Sequence, residues 1–265
     1  MEEKMDLLLK NGLVVTENEC KRVDIAVKNG KIAGLLERGS KTCCSEKEID
    51  CQGKVILPGA IDTHSHFFEP GEPSKYRDDF YTATMAAAAG GYTTCIEMPQ
   101  SIPPVVNKEA FLLKKKLATE KAVVDFALWG GLVPSSLDKI KELKEEGCVA
   151  FKAFTSDAGP DYEMCSDYDL LEGMKIVKAV GGLVGIHAEN DSICRKMTEY
   201  YRGMKTICPE YHEASRPWYA ELEAVSRCIL WSRITECPVM ICHLSIPEGA
   251  EQIKKEKEEG KPSTF

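Results

Sequence analysis

The chain lacks any apolar run near the roughly 18–20 residues that a membrane-spanning helix needs, because Gly, Pro or charge interrupts every longer stretch. Its opening, MEEKMDLLLKNG, is acidic and has no signal-peptide core. Positive charge is not in excess either: Asp and Glu outnumber Lys and Arg by 42 to 34, for a formal net charge of −8. That balance argues against nucleic-acid and acidic-membrane partners. Cysteines are present, twelve of them, but at irregular spacing, and the one close pair, Cys43-Cys44, has no second pair at zinc-site distance. These absences predict a cytoplasmic protein with reduced thiols, no cysteine-based metal site and a small neutral or anionic metabolite as its partner.

What is present is the composition of a folded globular protein: 43% hydrophobic and 29% charged residues with both signs mixed. A chain of 265 residues can bury a large core as one α/β barrel or as two ordinary domains. Residues 1–57 hold short alternating segments, DLLLKNGLVVT, RVDIAVKNGKIAGLLE and KEIDCQGKVIL, each with an Asn-Gly or Gln-Gly that predicts a hairpin. The clearest is VDIAVKNGKIAGL, where Asn29-Gly30 can take the positive φ values of a two-residue turn.

From residue 58 to 265 the pattern becomes a βα series, with strand-like runs starting near Ile61, Thr93, Val124, Val149, Val184 and Met240 and amphipathic runs between them. Ser136 is the expected cap of one of these helices and Gly147 its stop. Six such units at roughly 35 residues each predict an α/β fold of (β/α)8 TIM-barrel type that is two units short of closure, preceded by a small N-terminal β domain. An open doubly wound sheet, which needs no closure, is the alternative.

Only five histidines occur, and four end a strand-like run: His64 and His66 in IDTHSH, His187 in LVGIHAE and His243 in VMICHLS. In α/β barrels the C-terminal strand ends converge, so residues distant in sequence meet there. His64 and His66, two apart in an extended chain, point to one side and can share an ion. His212, in PEYHEASRP, has no strand before it and reads as an ordinary or substrate-loop residue rather than a ligand. Each histidine alone is ordinary as a hydrogen-bonded, partly buried residue; the recurrence of the position is what points to a site.

Lys152 is anomalous. It lies in CVAFKAF, a strand-like run whose Ala150, Lys152 and Phe154 share one face, and an ammonium there is costly to bury without a partner. Either it snorkels to solvent, or its amine is neutral and adds carbon dioxide to give a carbamate. Imidazole nitrogens and an anionic oxygen suit Zn²⁺ and also accept Mn²⁺, Co²⁺ or Fe²⁺, and a pair of ions roughly 3.5–4 Å apart polarises a carbonyl and activates water.

In order and spacing, LPGAIDTHSHFFEPG, AAAAGGYTTCIEMPQSIPPVV, WGGLVPSSLDKIKELKEEGCVAFKAF, GIHAEN, EASRP and CHLSIPEGAEQI resemble the cyclic amidohydrolases. The resemblance is strongest to the allantoinase type, with dihydropyrimidinases (hydantoinases) and dihydroorotases as relatives. It implies two divalent metal ions held by His64, His66, Lys152, His187 and His243, with Lys152 carboxylated and bridging. It further implies hydrolytic ring opening of allantoin to allantoate in purine and ureide catabolism, and assembly as a tetramer.

The general-base aspartate that the family places at the end of the eighth strand has no counterpart in these 265 residues. The resemblance therefore implies a C-terminally truncated chain, inactive alone, with a non-catalytic or structural relative as the alternative. Dihydroorotases carry an arginine where this chain has Phe68, and hydantoinases a tyrosine where it has Asp157, so both departures favour the allantoinase type over its relatives. A dihydropyrimidinase or hydantoinase activity is the remaining alternative.

Overall fold

A computed structural model describes residues 4–40, 44–67, 69–71, 78–204 and 208–260, and it divides into two compact units, Met1–Ala60 and Ile61–Phe265. Phe68 and Cys43 lie outside the described residues. Among the described residues there is no disulfide, and no helix is long and apolar enough to cross a membrane.

The first unit is a β-sheet of β1 (Met5–Lys10), β2 (Leu13–Val15), β3 (Cys20–Lys28), β4 (Lys31–Glu37), β5 (Ser45–Asp50) and β6 (Val55–Ile56). The β3–β4 hairpin forms as expected: Lys28 faces Lys31, and Asn29 and Gly30 both take left-handed φ, 51° and 71°. The other two expected hairpins do not form. β1 and β2 do not fold back on each other; both pair antiparallel with β3, one after the other along the same strand. β5 and β6 likewise run parallel to β1 and β2 in turn.

The physical difference is countable. Asn11 is left-handed at 65° but Gly12 is not, and Gly53 is left-handed at 77° while Gln52 is not. One left-handed residue bends a strand, whereas two in succession reverse it. The bend at Asn11 is tied down by its backbone N–H on the buried Asp24 carboxylate (2.8 Å) and its side-chain amide on Asp50 (2.9 Å).

The second unit alternates strands and helices. Its strands are β7 (Ala60–Ser65), β8 (Tyr92–Glu97), β9 (Asp125–Leu128), β10 (Gly130–Gly131), β11 (Phe151–Phe154), β12 (Val184–His187) and β13 (Val239–Ile241), at all six expected places. The order is β7-β8-β9 and β10-β11-β12-β13, and β8–β9 and each successive pair from β10 to β13 are parallel. The two groups are continuous through Trp129, because Trp129 N–H donates to Glu97 O on one side and Gly130 N–H to Ala150 O on the other, both at 2.9 Å.

Helices α1 (Phe80–Ala89), α2 (Lys108–Lys121), α3 (Ile140–Glu145), α4 (Asp167–Ala179), α5 (Asp191–Arg202), α6 (Glu210–Ala214), α7 (Trp218–Thr235) and α8 (Pro247–Glu258) complete the unit. Side-chain caps start several of them, as where Ser166 and Asp169 form a reciprocal box on α4. Ser136 is not a cap: it has non-helical φ/ψ inside a 3₁₀ segment, Pro134–Lys139, since Pro134 starts the turn earlier than the Ser-Leu-Asp signal suggests. Gly147 does end α3 with φ of 105°. Helix α7, the longest, went unrecognised in the sequence although Ala220, Ala224, Val225, Cys228, Ile229 and Ser232 bury at helical spacing.

The period of two along the strands separates two layers. Phe151, Ala153, Val184, Ile186, Val239 and Ile241 face the helices in the main core. Ala150, Met98, Trp129 and Cys242 form a second cluster on the opposite face. The Trp129 indole N–H donates to Thr63 O at 3.3 Å, and a Cβ on Gly185 would come within 2.6 Å of the same ring. One indole thus reaches from β7 to β12, which requires the array to curl about that face.

Candidate functional site

The C-terminal ends of the curled strands bring the predicted residues together. His64 and His66 Nε2 atoms are 3.1 Å apart, and His187 Nδ1 and His243 Nε2 are also 3.1 Å apart. The pairs adjoin, with the His64 and His243 ring centroids at 5.5 Å, so the first strand of the unit and the loop after its last meet in ring contact. Two ligands of a single tetrahedral ion at roughly 2.0–2.1 Å would sit roughly 3.3 Å from each other, close to both pair distances. His243 takes a left-handed φ of 42°, a strained conformation for a non-glycine residue and one that concentrates at functional sites.

Three of the four imidazoles are disfavoured from taking up a proton. Burial lowers His64, His66 and His243 from 6.5 to about 4, and Lys152 reinforces the shift at all three, while Asp62 opposes it at the first two. Neutral rings keep a lone pair for a ligand. Lys152 is 1% exposed, and its Nζ meets no nitrogen or oxygen partner among the described residues. The Phe154 ring lies 4.7 Å away. Burial lowers the pKa of the amine, offset in part by the Cys242 thiol.

His187 is oriented from behind. Its Nε2 pairs with Glu189 at 2.5 Å, and Arg216 holds the same carboxylate oxygen. The Thr155 hydroxyl accepts from Glu189 N–H at 3.0 Å, linking the ends of β11 and β12. Glu189 lies below its ordinary pKa because the His187 bond and the charges of His187 and Arg216 outweigh its burial. Glu189 and Arg216 were not singled out from sequence, although both fall in quoted segments, GIHAEN and EASRP.

A cavity of about 320 Å³ opens on this site, lined by His187, Glu189, His212, Arg216 and His243 among others. His212 therefore sits on the cavity wall, and not in a loop: it lies on the short helix α6, which starts after Pro209. Asp157 lies in the turn after β11, where its carboxylate accepts from Gly159 N–H at 2.9 Å.

As donors the residues fit a metal centre incompletely. Among the described residues no three His, Cys, Asp or Glu side chains are grouped so as to hold an ion. Each histidine pair supplies two donors, and the side chain whose charge bears on three of the four rings is a lysine, which as an ammonium ligates nothing.

The parallel α/β array thus gathers four imidazoles and a buried lysine around one end of its strands. The chain belongs to the Amidohydrolase family, whose profile matches residues 55–260. Among curated proteins it is 37% identical to the allantoinase of Escherichia coli O9:H4 (strain HS) over 265 residues, 98% of this chain and 57% of that protein. It is 36% identical to the allantoinase of Escherichia coli (strain K12) over the same shares.

Among solved structures, the L-hydantoinase (dihydropyrimidinase) of Arthrobacter aurescens superposes with a TM-score of 0.91 at 33% identity, covering 98% of this chain and 57% of that one. The dihydropyrimidinase of Brevibacillus agri NCHU1002 gives 0.86 at 26%, with 98% and 56% covered. The chain thus spans a little over half the length of the relatives it matches.

Proposed function

We propose that residues 1–265 carry the metal-binding part of a hydrolase that opens cyclic amides, with allantoin, taken to allantoate, as the substrate. The observation that carries it is Lys152, buried without a nitrogen or oxygen partner among the described residues and beside two imidazole pairs. A neutral amine there adds carbon dioxide: an N–C bond forms, one amine proton leaves, and the carbamate provides the anionic oxygens that the histidines lack. His64 and His66 would hold one divalent ion and His187 and His243 a second, with the carbamate between. Zn²⁺ fits these donors, and Mn²⁺, Co²⁺ and Fe²⁺ are the substitutes.

When bound, the ions supply carbonyl polarisation and water activation at neutral pH. Of the chain's own residues, Glu189 and Arg216 fix the His187 ring, and the Trp129–Met98 cluster packs the inner face of the array; the general-base aspartate has no counterpart among them. The six βα units are read as part of a (β/α)8 barrel, and the tetrameric state, the cytoplasmic location and the role in purine and ureide catabolism belong to the same proposal. The match to curated allantoinases at 36–37% identity supports allantoin as the substrate.

The test is metal content and turnover of the full-length protein. Wild type is expected to bind two divalent ions per chain and to hydrolyse allantoin faster than dihydrouracil. His64→Ala/His66→Ala and Lys152→Met are expected to bind fewer ions and to lose turnover. Equal metal content in wild type and the two variants would remove the ligand assignment.

A further inference from the structure

Beneath His66 lies an ion pair with no solvent contact. Glu97, the last residue of β8, and Lys114, from the middle of α2, are both 0% exposed and 3.1 Å apart. It is the one salt bridge among the described residues in which both side chains are fully shielded. Lys114 Nζ also donates to Met98 O at 2.6 Å. A buried ion pair is weak support for a fold, since the desolvation of two charges consumes most of their attraction, and apolar side chains of like volume often serve as well. Its presence in this core calls for another account.

That account lies in what the carboxylate holds. Both Glu97 oxygens accept the backbone N–H of Phe67, at 2.9 and 3.0 Å. On the other side of His66, Ser65 O accepts from Met98 N–H at 2.9 Å. His66 is therefore the residue between two backbone clamps, both set by the end of β8. Phe67 is further fixed edge-on to the Phe80 ring, with centroids 5.5 Å apart. β7 ends at Ser65, so beyond that point no sheet pairing would hold the second histidine of the pair.

We propose that Glu97, anchored by Lys114, is a positioning residue for His66: it grips the backbone after the histidine so that His66 Nε2 stays beside His64 Nε2. This rests on the reading of the two histidines as metal ligands. The carboxylate acts through the main chain, and Lys114 fixes its place.

The experiment is a Zn²⁺ competition titration against a chromophoric chelator, run on the full-length protein together with thermal unfolding of the metal-free form. Three proteins are compared: wild type, the charge-free pair Glu97→Gln/Lys114→Met, and His64→Ala/His66→Ala as reference. The charge-free pair is expected to unfold close to wild type yet to bind the His64/His66 equivalent of zinc about 10–100-fold more weakly, the usual effect of removing an outer-shell partner. The His187/His243 equivalent is expected to be unchanged. Glu97→Asp, which keeps the charge and shortens the reach, serves if the double variant does not fold, and is expected to weaken the same equivalent only.

Wild-type affinity in the charge-free pair, with the reference variant impaired, would overturn the positioning role and leave the ligand assignment standing. Wild type and reference variant binding alike would overturn the ligand assignment, and the proposal with it.

Discussion

Burial lowers the pKa of three histidines and of the lysine beside them. His64, His66 and His243 have folded pKa values of about 4 against 6.5 in the open chain, so below 6.5 the unfolded state binds more protons than the folded one. The stability they contribute is fully present above pH about 6.5 and is lost as pH falls through the folded values near 4. Urea unfolding of metal-free protein between pH 7.5 and 4 is expected to show falling midpoints across that window, and a His64→Gln/His66→Gln/His243→Gln variant a flatter profile. An equal slope in the variant would place the acid sensitivity elsewhere.

Sequence alone marked the histidines because each ends a strand-like run, and Lys152 because it puts a charge inside an apolar one. It passed over Glu189, Arg216, Glu97 and Lys114, whose types are common on any surface and whose importance comes from the groups they touch.

At the level of elements, the curl of the array depends on one small residue facing one large one. A Cβ on Gly185 in β12 would lie 2.6 and 2.7 Å from Trp129 ring atoms and 3.2 Å from Cys242 Sγ. Gly185→Ala is expected to destabilise the protein by about 1–3 kcal/mol, the usual cost of overpacking. The check is the denaturant midpoint; a loss within a few tenths of a kcal/mol would mean that the indole can swing away.

The strands of the second unit were legible because apolar runs recur between amphipathic ones. The pairing in the first unit was legible only in part, since Asn-Gly at 11–12 and at 29–30 is the same dipeptide with opposite outcomes. Which one reverses the chain depends on partners such as Asp24 and Asp50, far away in sequence.

For the whole molecule, the proposed ligands come from β7 and the residue just after it, β11, β12 and the loop after β13, so bound ions would tie the first strand of the second unit to its last. Free Zn²⁺ at about 100 times its Kd is then expected to stabilise the fold by about 2.7 kcal/mol per site. Chelator should lower the unfolding temperature of wild type while leaving His64→Ala/His66→Ala/His187→Ala/His243→Ala unmoved. Insensitivity of wild type to chelator would remove the metal's structural part.

The sequence by itself determined the alternation of strands and helices, the strand-end places of four histidines, the oddity of Lys152 and the family likeness, because these are properties of residue order and local period. Only the tertiary structure decided which imidazole nitrogens face each other, that Lys152 is sealed from solvent, and that Glu97 and Glu189 each grip a piece of the site. Those facts arise from side chains up to roughly 180 residues apart meeting on a curled sheet. The curl comes from packing about Trp129, which no local pattern encodes.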